Sequence, residues 1–255
     1  MSVTKPGSKT KRVQLDRFLY QQSVFAFVAF FGLAIWAFWT SYYGKLHEDM
    51  NWPMRFHGMA MTAWCLMLIG QAMLIRLKKN RIHKLTGKLS YVIVPLILIS
   101  GAHLAHITCN EMEIGSSVYY YFIALMFNSL IVFAILFGLA MWHRKKPLTH
   151  ARFMVCTIFP LLTPITDRLI YKYFDSLVPL APTLDGMPMV QTLGFGFGDI
   201  LLIGLLLWDW RAHKRLDVFP LVLALLALYH FSVVAFHQFP IWRSIGDWIM
   251  ALPLS

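Results

Sequence analysis

The sequence predicts an all-α fold: a polytopic integral membrane helical bundle of about seven transmembrane helices, with the N-terminus cytoplasmic and the C-terminus outside. Three observations carry that expectation. Of 255 residues, 58% are hydrophobic and 14% charged, with a mean hydropathy of +0.59, whereas soluble domains hold about 45–50% apolar and about 25% charged residues. Seven apolar segments approach the ~20 residues that a helix needs to cross the hydrocarbon core. Lys and Arg gather in alternate connections, 18 of the 23 on one side, which is how the cytoplasmic side of a membrane protein is marked.

Taken in order, residues 1–21 form a basic N-terminus with Lys5, Lys9, Lys11, Arg12 and Arg17. The apolar run after it is membrane-length and lacks a small-residue cleavage site, so it reads as a retained anchor and not a signal peptide. A single transmembrane domain fills 22–239, with spans expected at 22–43, 55–76, 88–107, 118–142, 151–170, 195–210 and 217–239, the sixth being the shortest. Inner connections carry Arg76, Lys78, Lys79, Arg81, Lys84 and Lys88, then Arg144, Lys145, Lys146 and Arg152, then Arg211, Lys214 and Arg215. Only Lys45, Arg55, Arg168, Lys172 and Arg243 remain for the outside. Pro160 and Pro164 are expected to kink the fifth span. The outer connection 108–117 is short, and 171–194 is the longest non-spanning piece, in the place of a lid. Residues 240–255, with Trp242 and Trp248, suit a helix lying in the outer interface. A chain of this length has no room for a further soluble domain of about 100 residues.

Several function classes drop out. The net charge of +11 is spread over short runs between apolar segments, which orients the chain in a lipid bilayer and does not make a nucleic-acid surface. Cys65, Cys109 and Cys156 have no C-x-x-C spacing, and an odd count argues against a disulfide framework. G-x-G-x-x-G after a strand, a Walker lysine loop, H-E-x-x-H and G-x-S-x-G are all absent.

The chemistry concentrates between Trp52 and His106. With the topology above, His57, His103, His106, His230 and His237 fall in the outer half, and His83, His143, His150 and His213 in or beside the inner connections. His57, Met61, Trp64, Leu68 and Gln71 share one helix face, as do His103 and His106, and His230 and His237. Asp167, Arg168 and Asp199 add ionisable groups at the outer depth. Such groups are costly in a membrane and demand partners, here expected among the facing histidines. His143 and His213, flanked by Lys and Arg, read instead as wetted interfacial residues.

Three local patterns resemble a broad group of uncharacterised bacterial polytopic membrane proteins: His57-Gly58 followed by Trp64 and Gln71, then His83-Lys84-Leu85-Thr86-Gly87, and His150-Ala151-Arg152-Phe153-Met154. That resemblance covers roughly residues 50–170 and implies the bacterial inner (cytoplasmic) membrane. The H-[KR]-x-x-G pattern is also similar to transmembrane b-type cytochromes and ferric-reductase-like domains, and Arg55-Phe56-His57-Gly58 resembles the low-spin haem helix of haem-copper oxidases. These resemblances imply haem b, with electron transfer to a redox partner or other membrane-complex subunits. Two neutral imidazoles per haem are the usual low-spin ligation. His57 with His106 is the expected outer pair and His83 with His150 the inner pair, with Arg55 and Arg168 facing propionates.

The alternative is a zinc or other divalent-metal site. A histidine on the second span and two on the seventh are similar to the adiponectin-receptor and alkaline-ceramidase superfamily of membrane hydrolases, which implies His57, His230 and His237 as ligands with Asp167 or Asp199 as base. The wider set of candidate metal ligands is His57, His103, His106, His230, Asp167 and Asp199. His230 and His237 lie about 10.5 Å apart along a continuous helix, and 231–236 contains no Gly or Pro to bend it. A transporter or assembly subunit with structural histidines is the third class.

Overall fold

The computed structural model describes residues 22–254; the expected basic terminus at 1–21 lies outside them. The described chain is helical almost throughout: α1 Ser23–Ala37, α2 Trp52–Arg76, α3 Asn80–Thr86, α4 Ser90–Asn110, α5 Ser117–Trp142, α6 Pro147–Cys156, α7 Phe159–Tyr173, α8 Gln191–His213, α9 Phe219–Ala235 and α10 Pro240–Met250. Six stretches among the described residues are long and apolar enough to cross a membrane: Trp52–Arg76, Asn80–Asn110, Ser117–Trp142, Pro147–Tyr173, Gln191–His213 and Phe219–Gln238. The protein is a multi-pass membrane protein.

The helices close into a ring. α1 packs on α2, α2 on α4, α4 on α5, α5 on α9, α9 on α8, α8 on α7, and α7 returns to α1. α5 also reaches across to α7, and its Tyr121, Phe133, Leu136 and Ala140 are fully buried. The outward faces carry Ile99, Ile131, Ile200 and Leu228 exposed, the residues expected where hydrocarbon and not water is the solvent.

Each departure from the expected spans has a local cause. The segment expected at 22–43 is helical over only 15 residues, Ser23–Ala37. The chain turns after it because Tyr42 folds back over Gly58 of α2, where a Cβ would lie 2.2 Å from the Tyr42 ring. The fifth segment is two helices, since Pro160 has no N–H for the Cys156 carbonyl and its ring crowds the turn before it. At that break the Thr157 amide is shared between the carbonyls of Phe153 and Met154 at 3.1 and 3.3 Å. The sixth, expected to be shortest, runs 23 residues. The seventh stops at Ala235 and continues as a 3-10 turn, Phe236–Gln238; the expected continuous helix to 239 is therefore corrected, although no Gly or Pro interrupts it.

Between α7 and α8 a small hairpin pairs Thr183–Leu184 with Met187–Pro188. Asp185 and Gly186 take φ of 49° and 81° at its tip, the left-handed pair that a tight Asp-Gly turn requires. The C-terminal segment is the amphipathic helix α10, clamped to α5: Trp242 Nε1 donates to the Tyr120 carbonyl at 3.2 Å and Tyr120 Oη donates to Asp247 Oδ1 at 2.8 Å. Ile241, Ile245 and Trp248 face outward. We call the end of the ring that carries this helix and the hairpin the loop end, and the opposite one the basic end.

Candidate functional site

At the loop end α2 and α4 bring His57 and Ser100 into contact, with Arg168 of α7 within electrostatic reach. His57 Nδ1 lies 3.0 Å from Ser100 Oγ on α4. Ser100 Oγ also lies 3.3 Å from the Ile97 carbonyl; with the hydroxyl donating there, it accepts from His57 Nδ1–H and His57 Nε2 keeps its lone pair. Gly101 makes room for the ring: a Cβ there would lie 3.3 Å from His57 Cε1 and 2.8 Å from Leu130. Arg168 on α7 is near enough for its charge to act on the His57 ring. Its guanidinium lies 4.3 Å over the Phe38 ring, just past α1, and donates to the Pro164 carbonyl at 3.1 Å. Arg168 retains exposed surface.

Asp167, beside Arg168, does not meet a histidine. It accepts from Gln191 Nε2 at 3.1 Å, and Gln191 Oε1 accepts from Tyr121 Oη at 2.9 Å, a chain that ties α7, α8 and α5. Asp199 does meet one. Its Oδ2 lies 3.1 Å from His230 Nδ1, and Phe195 stacks on that imidazole at 4.0 Å and 13°. Asp199 Oδ1 is buried without a hydrogen-bond partner.

The two expected haem pairs fare differently from one another. His106 is buried with both ring nitrogens engaged: Nε2–H donates to the Met250 carbonyl at 3.0 Å and Nδ1 accepts from Asn110 Nδ2 at 3.2 Å. In that state it has no lone pair for iron, and it holds α10 against α4 instead. His103 is half-buried on the same helix. Arg55 turns outward and donates to the Glu48 carbonyl at 2.7 Å.

At the basic end His83 and His150 do come near one another, close enough to interact electrostatically. His150 Nδ1–H donates to the Ala140 carbonyl at 2.8 Å, which leaves Nε2 bare. His83 is held the opposite way. With its amide turned to the orientation that suits its neighbours, Gln71 donates to His83 Nδ1 at 2.6 Å and to the His83 carbonyl at 3.0 Å, and its oxygen meets Thr86 Oγ1 at 2.7 Å and Gly87 N at 3.3 Å. The proton of His83 is then on Nε2. With the proton on His83 Nε2 and the lone pair on His150 Nε2, the two rings do not offer the two bare nitrogens that two-sided ligation of a metal needs. The His83-x-x-Thr86-Gly87 pattern and Gln71 are four parts of one clasp between α2 and α3.

No family model matches the chain, and neither a curated protein nor a solved structure matches it. The site is therefore read from its own geometry. Among the described residues no group of three or more His, Cys, Asp or Glu side chains could hold a metal ion; His57, His103, His106, His230, Asp167 and Asp199 do not converge. His237, on the 3-10 turn, is buried rather than directed to the surface.

Sequence reasoning also passed over residues that matter. His213 is not a wetted interfacial residue: its side chain is 4% exposed, and its Nδ1 lies 3.1 Å from Asp209 Oδ1. Arg152 Nη2 meets the same oxygen at 3.1 Å, with both side chains 2% exposed. The signal was present, since Asp209 is an acid within an apolar helix and stands four residues before His213, one turn away on the same face. Ser100, Tyr121 and Gln191 gave no such signal, because neutral polar residues are ordinary in spans.

Proposed function

We propose that this is a membrane haem protein, with a single b-type haem at the loop end of the ring held through His57 and Arg168. The carrying observation is the His57–Ser100 contact at 3.0 Å: with the serine hydroxyl turned to the Ile97 carbonyl, it holds the imidazole with Nε2 bare, the state in which histidine ligates metal. A ligand for this place has to offer His57 a Lewis-acidic centre and offer Arg168 an anionic group. Haem has both, an iron and carboxylate arms suited to charge-assisted hydrogen bonds with guanidinium. When bound it would supply one-electron chemistry, with a second membrane protein as redox partner. His57 would bind and orient the group, Ser100 would hold the ring, and Arg168 would neutralise a carboxylate. Because His106 is committed to Met250 and Asn110, a single imidazole from the protein serves this site.

The same reading includes seven crossings, with α1 as the first, a cytoplasmic N-terminus, an external C-terminus, and residence in a bacterial inner membrane. The distribution of Lys and Arg supports it: leaving α1 out of the membrane would put the five basic residues of 1–21 on the side that otherwise holds few.

The test is absorbance. Protein purified in mild detergent from cells supplied with a haem precursor should carry a Soret band that shifts on dithionite reduction. His57→Ala should lose it and His106→Ala should keep it. A colourless wild-type protein, or a haem retained equally by His57→Ala, overturns the reading.

A second reading rests on His230 and Asp199. An imidazole–carboxylate pair between two membrane-length helices is the arrangement of a proton relay in a transporter. Proton uptake by reconstituted vesicles that Asp199→Asn abolishes would favour it.

A further inference from the structure

We infer that two copies of this chain meet through the outer groove between α8 and α9, where each Asp199 faces the partner's His230, independent of the haem reading. Helix periodicity draws the groove: Gly196, Asp199 and Ile203 follow one another along α8, and Ala227, His230 and Val234 along α9. Gly196, Ile203, Ala227 and Val234 are exposed. They lie on the side of the ring where Ile200 and Leu228 also face outward, the surface that hydrocarbon covers.

Asp199 and His230 interrupt that apolar surface. Asp199 keeps 30% of its side chain exposed and His230 keeps 14%. Asp199 stands well inside α8, which begins at Gln191; at 1.5 Å per residue that is about 12 Å of helix, within a hydrocarbon layer about 30 Å thick. Ionisable groups open to lipid at such a depth are costly and pair with others. One pairing is present, His230 Nδ1 to Asp199 Oδ2 at 3.1 Å. It leaves His230 Nε2 without a hydrogen-bond partner among the described residues. Asp199 Oδ1 is turned inward, so Oδ2, with a second lone pair to give, is the oxygen that a neighbour can reach.

Whatever covers the pair has to bring a polar group to Asp199 and another to His230 at one depth. Lipid tails bring neither, and a helix with a single cation answers Asp199 alone. A second copy brings both. A two-fold axis along the membrane normal, running through the groove, sets α8 of one copy against α9 of the other, and such an interface is the same patch met twice. Asp199 and His230 bond to one another within a chain and so lie level, which makes each Asp199 level with the partner's His230. Each His230 Nδ1–H donates to its own Asp199, and one further proton per contact joins Nε2 to the partner's carboxylate. The ring of two imidazoles and two carboxyl groups then carries no net charge and leaves no ring nitrogen unpartnered.

The shape of the groove allows the approach that these hydrogen bonds need. A Cβ at Gly196 would meet nothing within 4 Å, and Ala227 across from it carries only a methyl. Small residues beside a polar pair let the backbone of a second helix come close, and interhelical hydrogen bonds then hold it there. Phe195 stacks on the His230 ring at 4.0 Å and is buried, so the imidazole keeps its place on the groove and does not turn into the ring of helices.

Counting copies of the full-length protein in liposomes by single-molecule photobleaching, over a series of protein-to-lipid ratios, tests this. The wild type should pass from one copy to two as the ratio rises, and go no further. Gly196→Leu drives a wedge into the groove while leaving Asp199 and His230 in place, and it should need about tenfold more protein per lipid for the same share of dimers, the scale of an interhelical hydrogen bond in a membrane. The double variant Asp199→Leu, His230→Leu, which leaves an apolar face and no orphaned charge, should shift the balance by a similar factor. Gly138→Leu, a wedge on the outward face of α5 where a Cβ also meets nothing within 4 Å, should not. Three results overturn the proposal: a wild type that stays single at every ratio, whose groove is then covered by lipid or by another protein; a dimer that withstands either groove variant; or one that Gly138→Leu weakens equally.

Discussion

Ser100 Oγ stands 3.0 Å from His57 Nδ1 and 3.3 Å from the Ile97 carbonyl. Where that hydroxyl donates to Ile97, it accepts from His57 Nδ1–H and leaves Nε2 bare. If His57 holds a haem, Ser100→Ala should retain the Soret band but weaken retention by about 10–100-fold, the usual cost of losing the group that orients a ligating imidazole. Haem loss to apomyoglobin measures this. A variant that keeps haem as tightly as the wild type would detach Ser100 from the site.

Arg152 and Asp209 supply a stability test. Removing one member of a buried ion pair leaves an uncompensated charge and costs about 3–5 kcal/mol, while replacing both with apolar residues is often neutral. Asp209→Asn should lower the unfolding temperature strongly, whereas Arg152→Met with Asp209→Leu should recover most of the loss. Penalties that simply add would show that the two residues do not act as a pair.

Gly58 explains why a small residue follows His57. Gly58→Ala places a methyl 2.2 Å from Cε2 of the Tyr42 ring, and overpacking of this kind costs about 1–3 kcal/mol. Adding Tyr42→Leu should return stability toward the wild type in the same unfolding assay. A further loss in the double variant would mean that the contact is not the cause.

Topology is checked by fusions. A reporter joined after Ser255 should be active outside the cytoplasm, and one joined at Lys146 active inside. Activity of both on one side would mean that the number of crossings between them is even, so that one of the three stretches Pro147–Tyr173, Gln191–His213 and Phe219–Gln238 does not cross.

Removing the clasp at the basic end should be milder. Gln71→Leu leaves His83 Nδ1, Thr86 and Gly87 without the amide; the outer rim of this clasp is partly wetted, so a loss of about 1–3 kcal/mol is expected from the hydrogen bonds alone. Haem content should stay unchanged. A colour change in this variant would move the cofactor to the inner histidines.

The sequence by itself determined the class and most of the elements. Apolar runs of membrane length need no partner to be recognised, because lipid forces every backbone group into a helix, and the expected 55–76 and 118–142 differ from α2 and α5 by a few residues. The position of Pro160 announced a kink in the fifth segment, since proline acts on its own chain, whereas Pro164 lies within α7 without breaking it. Which polar groups meet was a different matter. His57 and His106 look alike in one dimension, yet one ends against Ser100 with a bare nitrogen and the other is consumed by Met250, 144 residues away. Asp199 found the expected histidine, while Asp167 found Gln191 and Asp209 found Arg152. Helix periodicity assigns a residue to a face, but the closure of the ring decides what stands opposite that face. A hydrogen bond of about 3 Å depends on that second fact, so only the tertiary structure could supply it.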